Sequence, residues 1–203
     1  MRSRAGYSQQ MAGIIDAHDE ERLLLGWRRG DPESVRRVIA LWGPAMLRVA
    51  LALCRRLEDA EDIVQDALLL AHRSLDEFDS RRGTPRTWLV GVTVNRARQV
   101  LRGQRRYAGL LGRFLQEPYE TTSSMPFRSD LAFARECLGA LPAREREAFV
   151  LVEMEEMSSE EAAQVMDVTA STVRVLLARA RKHLRRSPPL STALPFSVEG
   201  KSR

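Results

Sequence analysis

Ser158-Ser159-Glu160-Glu161-Ala162-Ala163-Gln164-Val165-Met166-Asp167-Val168-Thr169-Ala170-Ser171-Thr172-Val173-Arg174 reads as two short helices separated by a tight turn. Ser158 is placed to cap the first, and Glu161, three residues on, completes a capping box. Ala163, Asp167 and Val173 fall at offsets 0, 4 and 10, the spacing of a helix-turn-helix. Such a motif needs a small residue where the helices touch, a turn residue that tolerates left-handed backbone, and an apolar contact on the second helix. Asp167 stands where glycine is usual, and Asp tolerates that region better than most residues. Thr169 caps the second helix, which runs from Ala170 to about Arg186 with Ser171, Thr172, Arg174, Arg179, Arg181 and Lys182 on its exposed side. No acid lies between Asp167 and Arg186. Hydroxyls and helical N–H groups at the helix start suit phosphates, and Arg174 and Arg179 are long enough to reach guanine edges in a major groove. The pattern also fits an amphipathic helical hairpin with a basic solvent face.

Outward from this motif, almost everything else reads as helix. Asp31 caps a helix with Pro32 at its first position, and Val35, Val38, Ile39, Trp42, Met46, Val49 and Leu53 keep a 3.6-residue period. Trp42-Gly43-Pro44 marks a place for that helix to bend. A third helix is expected from Asp59, capped by its side chain, burying Ala60, Ile63, Val64, Ala67, Leu68, Ala71 and Leu75 and leaving an acidic outer face. After a loop from Asp79 to Thr84, Pro85 starts a long helix to about Arg106, anchored by Trp88, Leu89, Val92 and Val94. No run of alternating β-branched residues competes, so the chain is expected to be all-α. Tyr107 to Asp130 carries Gly109, Gly112, Pro118, Pro126 and Thr121-Thr122-Ser123-Ser124 without helical period, and reads as a flexible linker. The predicted organisation is a disordered N-terminus over 1–17, one small helical domain over 18–106, the linker over 107–130, a second helical domain over 131–186 and a disordered tail over 187–203.

At 203 residues, with 44% hydrophobic and 29% charged, the chain has enough apolar material for one or two modest cores. Its apolar runs, such as Val49 to Cys54, are too short to span a bilayer, and the N-terminus has no apolar signal segment, so a cytoplasmic protein is expected. Cys54 and Cys137 form no Cys-x-x-Cys or zinc spacing and read as reduced core thiols.

The net charge of +5 matters less than its distribution. Leu57 to Asp79 holds Glu58, Asp59, Glu61, Asp62, Asp66, Asp76, Glu77 and Asp79 against Arg73 alone. Ser80 to Gln116 then holds nine arginines and no acid. The alternation recurs, with seven acids and two arginines in Ala143 to Glu161 and six bases with one acid, Asp167, in Ala162 to Arg186. Solvated helix faces of mixed sign would intersperse these charges. Two acidic-then-basic modules in tandem are therefore more than surface decoration.

Asp62-Ile63-Val64-Gln65-Asp66, Phe78-Asp79, Thr87-Trp88-Leu89 and Asn95-Arg96-Ala97, followed by the helix-turn-helix, together resemble bacterial RNA polymerase sigma factors of the extracytoplasmic-function type over about residues 20 to 186. Leu141-Pro142-Ala143-Arg144-Glu145-Arg146-Glu147 resembles the start of that family's second domain. The resemblance implies that the acidic helix docks on the β′ clamp helices of core polymerase through Asp62, Gln65 and Asp66, where carboxylates and an amide can form charge-assisted bonds to arginines. It implies that Ser80, Arg81, Arg82, Arg86, Asn95, Arg96, Arg98 and Arg102 meet the −10 element, the loop capturing a flipped base and the arginines lining a single-strand channel. Trp88 belongs to that set if it stacks on a base, and otherwise anchors the core. For the −35 element the resemblance implies Thr169, Ser171, Thr172, Arg174, Val175, Arg179, Arg181 and Lys182. Gln99 stands where family members usually carry Asp, and Arg174-Val175-Leu176 where they often carry Lys/Arg-Ser-Arg; Val175 then either touches a thymine methyl or packs inward. The implied partners are core RNA polymerase, through its β′ clamp and β flap, promoter DNA and an anti-sigma protein, with no cofactor, metal or small-molecule substrate and no enzymatic activity.

Two other readings fit parts of the chain. A stand-alone helix-turn-helix repressor or activator accounts for the last quarter but leaves the Asp62-Gln65-Asp66 face idle. A di-metal carboxylate enzyme needs Glu-x-x-His pairs, and His18, His72 and His183 lack a glutamate three residues before them.

Overall fold

The computed structural model describes residues 16–54, 56–111 and 138–186; the flank before Asp16, most of the expected linker, Cys137 and the tail from Ser187 lie outside them. All regular structure among the described residues is helical. Helix α1 (Ala17–Arg28) begins where the Asp16 side chain accepts the Asp19 N–H at 2.8 Å. Gly30, at φ 72°, turns the chain into α2 (Pro32–Leu53), capped by Asp31, whose carboxylate accepts the Ser34 N–H and hydroxyl at 2.8 and 2.7 Å. Those two bonds hold the Asp31 carboxyl below its usual range, the hydroxyl contributing most. A Cβ at position 26 would lie 2.0 Å from Ser34 Oγ, so the α1–α2 hairpin needs Gly26. At the place marked for a bend, α2 runs without interruption through Pro44, which sits on the exposed side.

Helix α3 (Leu57–Arg73) starts two residues before the expected cap, with Arg56 at the N-cap and no side-chain capping bond. Asp59 instead accepts Gln104 Nε2 of the next long helix at 3.2 Å, which ties the two helices together. A short 3-10 turn (Leu75–Glu77) leads to the loop before α4 (Pro85–Leu111), which continues past the expected end at Arg106. Trp27, Val38, Trp42, Met46, Ala67 and Leu89 form one core between α1, α2, α3 and α4. Met46 and Leu89 are fully buried, each contributing about 1.5–3 kcal/mol relative to exposure.

The second module begins with α5 (Ala143–Phe149), which runs into a π-helical segment (Val150–Met154) closed by Glu155 N–H to Val150 O at 3.0 Å. Then come α6 (Ser159–Met166) and α7 (Ala170–Arg186). Leu151, Met166, Val173 and Leu177 form its core, which is continuous with Val49, Leu53, Ile63, Val90 and Val94 of the first module. The two modules therefore pack directly on each other, through α4 against α6 and α2 against α5.

Candidate nucleic-acid interface

The helix-turn-helix forms as its sequence requires. Ser158 Oγ accepts the Glu161 N–H at 3.1 Å while Glu161 Oε2 accepts the Ser158 N–H at 2.8 Å, a complete capping box. Asp167 adopts φ 53°, ψ 54°, the left-handed conformation that ends α6. Thr169 Oγ1 accepts the Thr172 N–H at 3.2 Å, and the Ser171 and Thr172 hydroxyls lie 2.8 and 2.9 Å from it. Three hydroxyls and the free N–H groups of a helix start thus share one spot, an arrangement suited to a phosphate.

Along α7, Val173, Leu177, Ala180 and Leu184 are buried, while Ser171, Thr172, Arg174, Val175, Arg179 and Lys182 are exposed. Val175 is 50% exposed and Leu176 packs against the core, so the packing choice left open at Val175 falls to its neighbour. Arg174 Nη2 holds Glu160 Oε1 of α6 at 2.8 Å. Arg181, expected on the exposed side, is half-buried and turned back onto Glu153 of the π segment. Arg179 makes no hydrogen bond or ion pair among the described residues.

In the first module Asp62 and Gln65 are exposed on α3, but Asp66 is half-buried and accepts Arg96 Nε and Nη2 at 2.9 and 2.5 Å. Gln99 Oε1 accepts from the same guanidinium at 3.3 Å. Asp66 and Arg96, assigned from sequence to different partners, are partners of one another here. In the loop, Asp79 accepts the guanidinium and backbone N–H of Arg81 at 2.9 and 3.0 Å. The guanidinium first, then the N–H, holds the Asp79 carboxyl below its ordinary range, and Arg81 is raised in return. A cleft of about 820 Å³ opens beside Ser80, Arg81 and Arg82, between Leu24, Phe78 and Glu161. At its rim, burial raises the Glu20 carboxyl above its usual range. Trp88 is half-buried and tilted against Phe78, ring centroids 5.4 Å apart, which is a core-anchoring position. Arg102 and Asn95 are exposed.

Arg86 and Arg98 are not in an open channel. Arg86 Nη1 donates to the Glu155 carbonyl at 3.0 Å and its Nη2 meets Glu155 Oε2, while Arg48 of α2 donates Nε and Nη2 to the same carboxylate at 3.1 Å each. Arg98 forms a bidentate pair with Glu147 at 3.0 and 2.8 Å, and Asn95 Oδ1 accepts its Nη1 at 3.0 Å. Sequence reasoning did not single out Arg48, Glu147, Glu153 or Glu155. The one available signal was the acid-rich block from Ala143 to Glu161 matching the arginine block in sign. Among the described residues no His/Cys/Asp/Glu group could hold a metal ion, and no helix is long and apolar enough to cross a membrane.

Against known proteins, residues 38–107 match the Sigma-70 region 2 family and residues 134–184 the Sigma-70, region 4 family. The chain is 30% identical over 178 residues to RNA polymerase sigma factor NccH of Alcaligenes xylosoxydans xylosoxydans, covering 84% of this chain and 95% of that protein. It is 32% identical over 138 residues to the ECF RNA polymerase sigma-E factor of Escherichia coli (strain K12), covering 61% of this chain and 71% of the other. The sigma factor RpoE from Bartonella quintana, solved in complex with the anti-sigma factor NepR, is similar with a TM-score of 0.64 and 25% identity, over 76% of this chain and 96% of that one.

Proposed function

Since this chain belongs to the RNA polymerase sigma factors of the extracytoplasmic-function type, we propose that its first module docks on core polymerase and opens the −10 element while its second reads the −35 element. The carrying observation is that a solvent-facing carboxylate-and-amide patch on α3 and a formed helix-turn-helix occur in one chain. A stand-alone repressor needs only the second. Asp62, Gln65 and Asp66 meet the polymerase clamp, with Asp66 exchanging Arg96 for an arginine of the partner. The cleft beside Ser80, Arg81 and Arg82 accepts an unstacked base, and Arg86, Asn95, Arg96, Arg98 and Arg102 follow the single strand. Thr169, Ser171 and Thr172 hold a backbone phosphate at the start of α7, while Arg174 and Val175 face the base edges and Arg179 grips the flanking backbone. Arg181, held by Glu153, and Lys182 flank that contact.

The chain works in the cytoplasm and carries out no catalytic step itself; bond formation belongs to the polymerase. Its third partner is an anti-sigma protein, in line with the RpoE structure, solved with NepR. The test is transcription from cellular promoters by core polymerase with and without this chain. Promoter-specific initiation is expected only when the chain is added, and the free chain should bind duplex DNA weakly with a steep salt dependence, because arginine–phosphate contacts release counterions. Tight, sequence-specific duplex binding by the free chain, with no effect on initiation, would support the repressor instead.

A further inference from the structure

Val175, not an arginine, stands at the centre of the exposed face of α7. At about 100° per residue, it lies about 170° around the helix from the mean direction of the buried Val173, Leu177, Ala180 and Leu184. It therefore points straight away from the core, with the exposed Ser171, Ala178 and Lys182 within about 60° of it on neighbouring turns. Arg174 lies to one side of this line and Arg179 to the other. Val175 is 50% exposed and, among the described residues, is the one exposed large apolar side chain of the second module. A shallow depression of about 340 Å³ opens beside it, walled by Ser171, Thr172, Leu176 and Arg179. Leu176 packs on the core behind, which fixes the apolar wall in place.

Neither helix formation nor core packing accounts for this valine. A β-branched residue is a poorer helix former than alanine, and Val175 lies outside the core cluster. Opposite a DNA duplex, however, such a side chain discriminates in two ways. Of the four bases only thymine carries a methyl group into the major groove, at C5, where an apolar residue can bury it. The donors and acceptors of other edges would instead lose water to a group unable to replace it. A protein partner would need a wider apolar patch than one valine. This one is bordered by two arginines and by the Thr169, Ser171 and Thr172 hydroxyls, which suit a polyanion.

Resting on the −35 assignment above and narrowing it, we propose that Val175 is the thymine-reading residue of α7. It takes the C5 methyl of one −35 thymine against the wall it forms with Leu176, while Arg174 and Arg179 make the polar contacts on either side. The second module then reads its element by two means of opposite character: charge-assisted contacts that weaken with salt, and one apolar contact that does not.

The test removes the methyl rather than the base pair. Holoenzyme first selects its preferred −35 sequence from a randomised library. Each thymine of that element, on either strand, is then replaced singly by deoxyuridine, which lacks only the methyl and keeps every hydrogen-bonding group. Affinity of holoenzyme for the labelled promoter is followed by titration across a salt series. One uracil should weaken binding by about fourfold, which at about 1.4 kcal/mol per tenfold is about 0.8 kcal/mol, one buried methyl. That ratio should stay constant with salt, because an apolar contact releases no counterion. Val175→Ala holoenzyme should bind the unmodified promoter more weakly and lose its sensitivity to that uracil, whereas Val175→Ile should keep it. A −35 preference without thymine, or one in which no uracil matters, overturns the thymine reading but leaves the −35 assignment standing. So does a uracil effect that Val175→Ala retains in full. If the library shows no −35 preference at all, the −35 assignment itself falls and takes this inference with it.

Discussion

Replacing Arg174 or Arg179 by alanine should separate base reading from backbone grip on α7. The two are five residues apart, hence about 7.5 Å along the helix and roughly 140° around it, so both cannot face the groove floor. Arg174 lies nearer the helix N-terminus, where helix-turn-helix proteins make most base contacts, but its guanidinium is held by Glu160. Both members of that pair are more than half exposed, at 59% and 65%, which limits its strength to about 0.2–1 kcal/mol. A bidentate contact to guanine discriminates by about 1–3 kcal/mol, so the base wins and Arg174 leaves Glu160 on DNA. Arg174→Ala should therefore cost about 1–3 kcal/mol and relax preference at one or two −35 positions. Arg179→Ala should weaken all promoters alike and flatten the salt slope by about one unit. Glu160→Gln, which frees Arg174 in advance, should tighten binding by up to about fivefold, the equivalent of ~1 kcal/mol. A randomised −35 library transcribed by holoenzyme carrying each variant reads all three. If Arg174→Ala leaves the preferred sequence intact and Arg179→Ala alters it, the roles are reversed; if neither alters it, the −35 contact lies elsewhere.

Asp62→Arg should fold normally, since Asp62 is exposed, yet lose several kcal/mol of polymerase affinity by placing like charge against the clamp, as measured by titration of labelled core enzyme. Unchanged affinity would move the docking face off α3. At the turn of the helix-turn-helix, Asp167→Val should lower stability by about 1–2 kcal/mol and Asp167→Gly should not, because only the β-branched residue resists φ 53°. Thermal unfolding of the two variants decides this, and equal melting points would mean that the turn backbone relaxes.

The helix-turn-helix backbone is readable because its determinants are local: a cap, a box, a left-handed turn and a 3.6-residue stripe all act within a few residues, whereas Arg181, expected on the exposed side, turns to Glu153 outside the motif. The same locality holds for Asp31 and Pro85. The start of α3 was missed because Asp59 answers a distant donor, Gln104, rather than its own backbone. Pro44 reads as a place to bend in one dimension, yet it lies on the solvent side of α2 and the helix continues through it. Roles for Asp66, Arg86, Arg96 and Arg98 rest on the family resemblance, and neither a motif nor the sign of a charge block says which opposite charge lies nearest in space. Glu155 lies 69 residues from Arg86 and 107 from Arg48, a separation at which no periodicity carries information.

The π segment also makes interdomain docking a matter of counting. Removing one residue from Val150–Met154 and restoring an ordinary helical turn would swing Glu155 by about 100° and shift it by about 1.5 Å, with every charge in the chain retained. Relatives that lack the extra residue would share this chemistry in composition and lose it in space. A single-codon deletion is then a route by which a lineage could change how its two modules pack, without altering a single charged side chain.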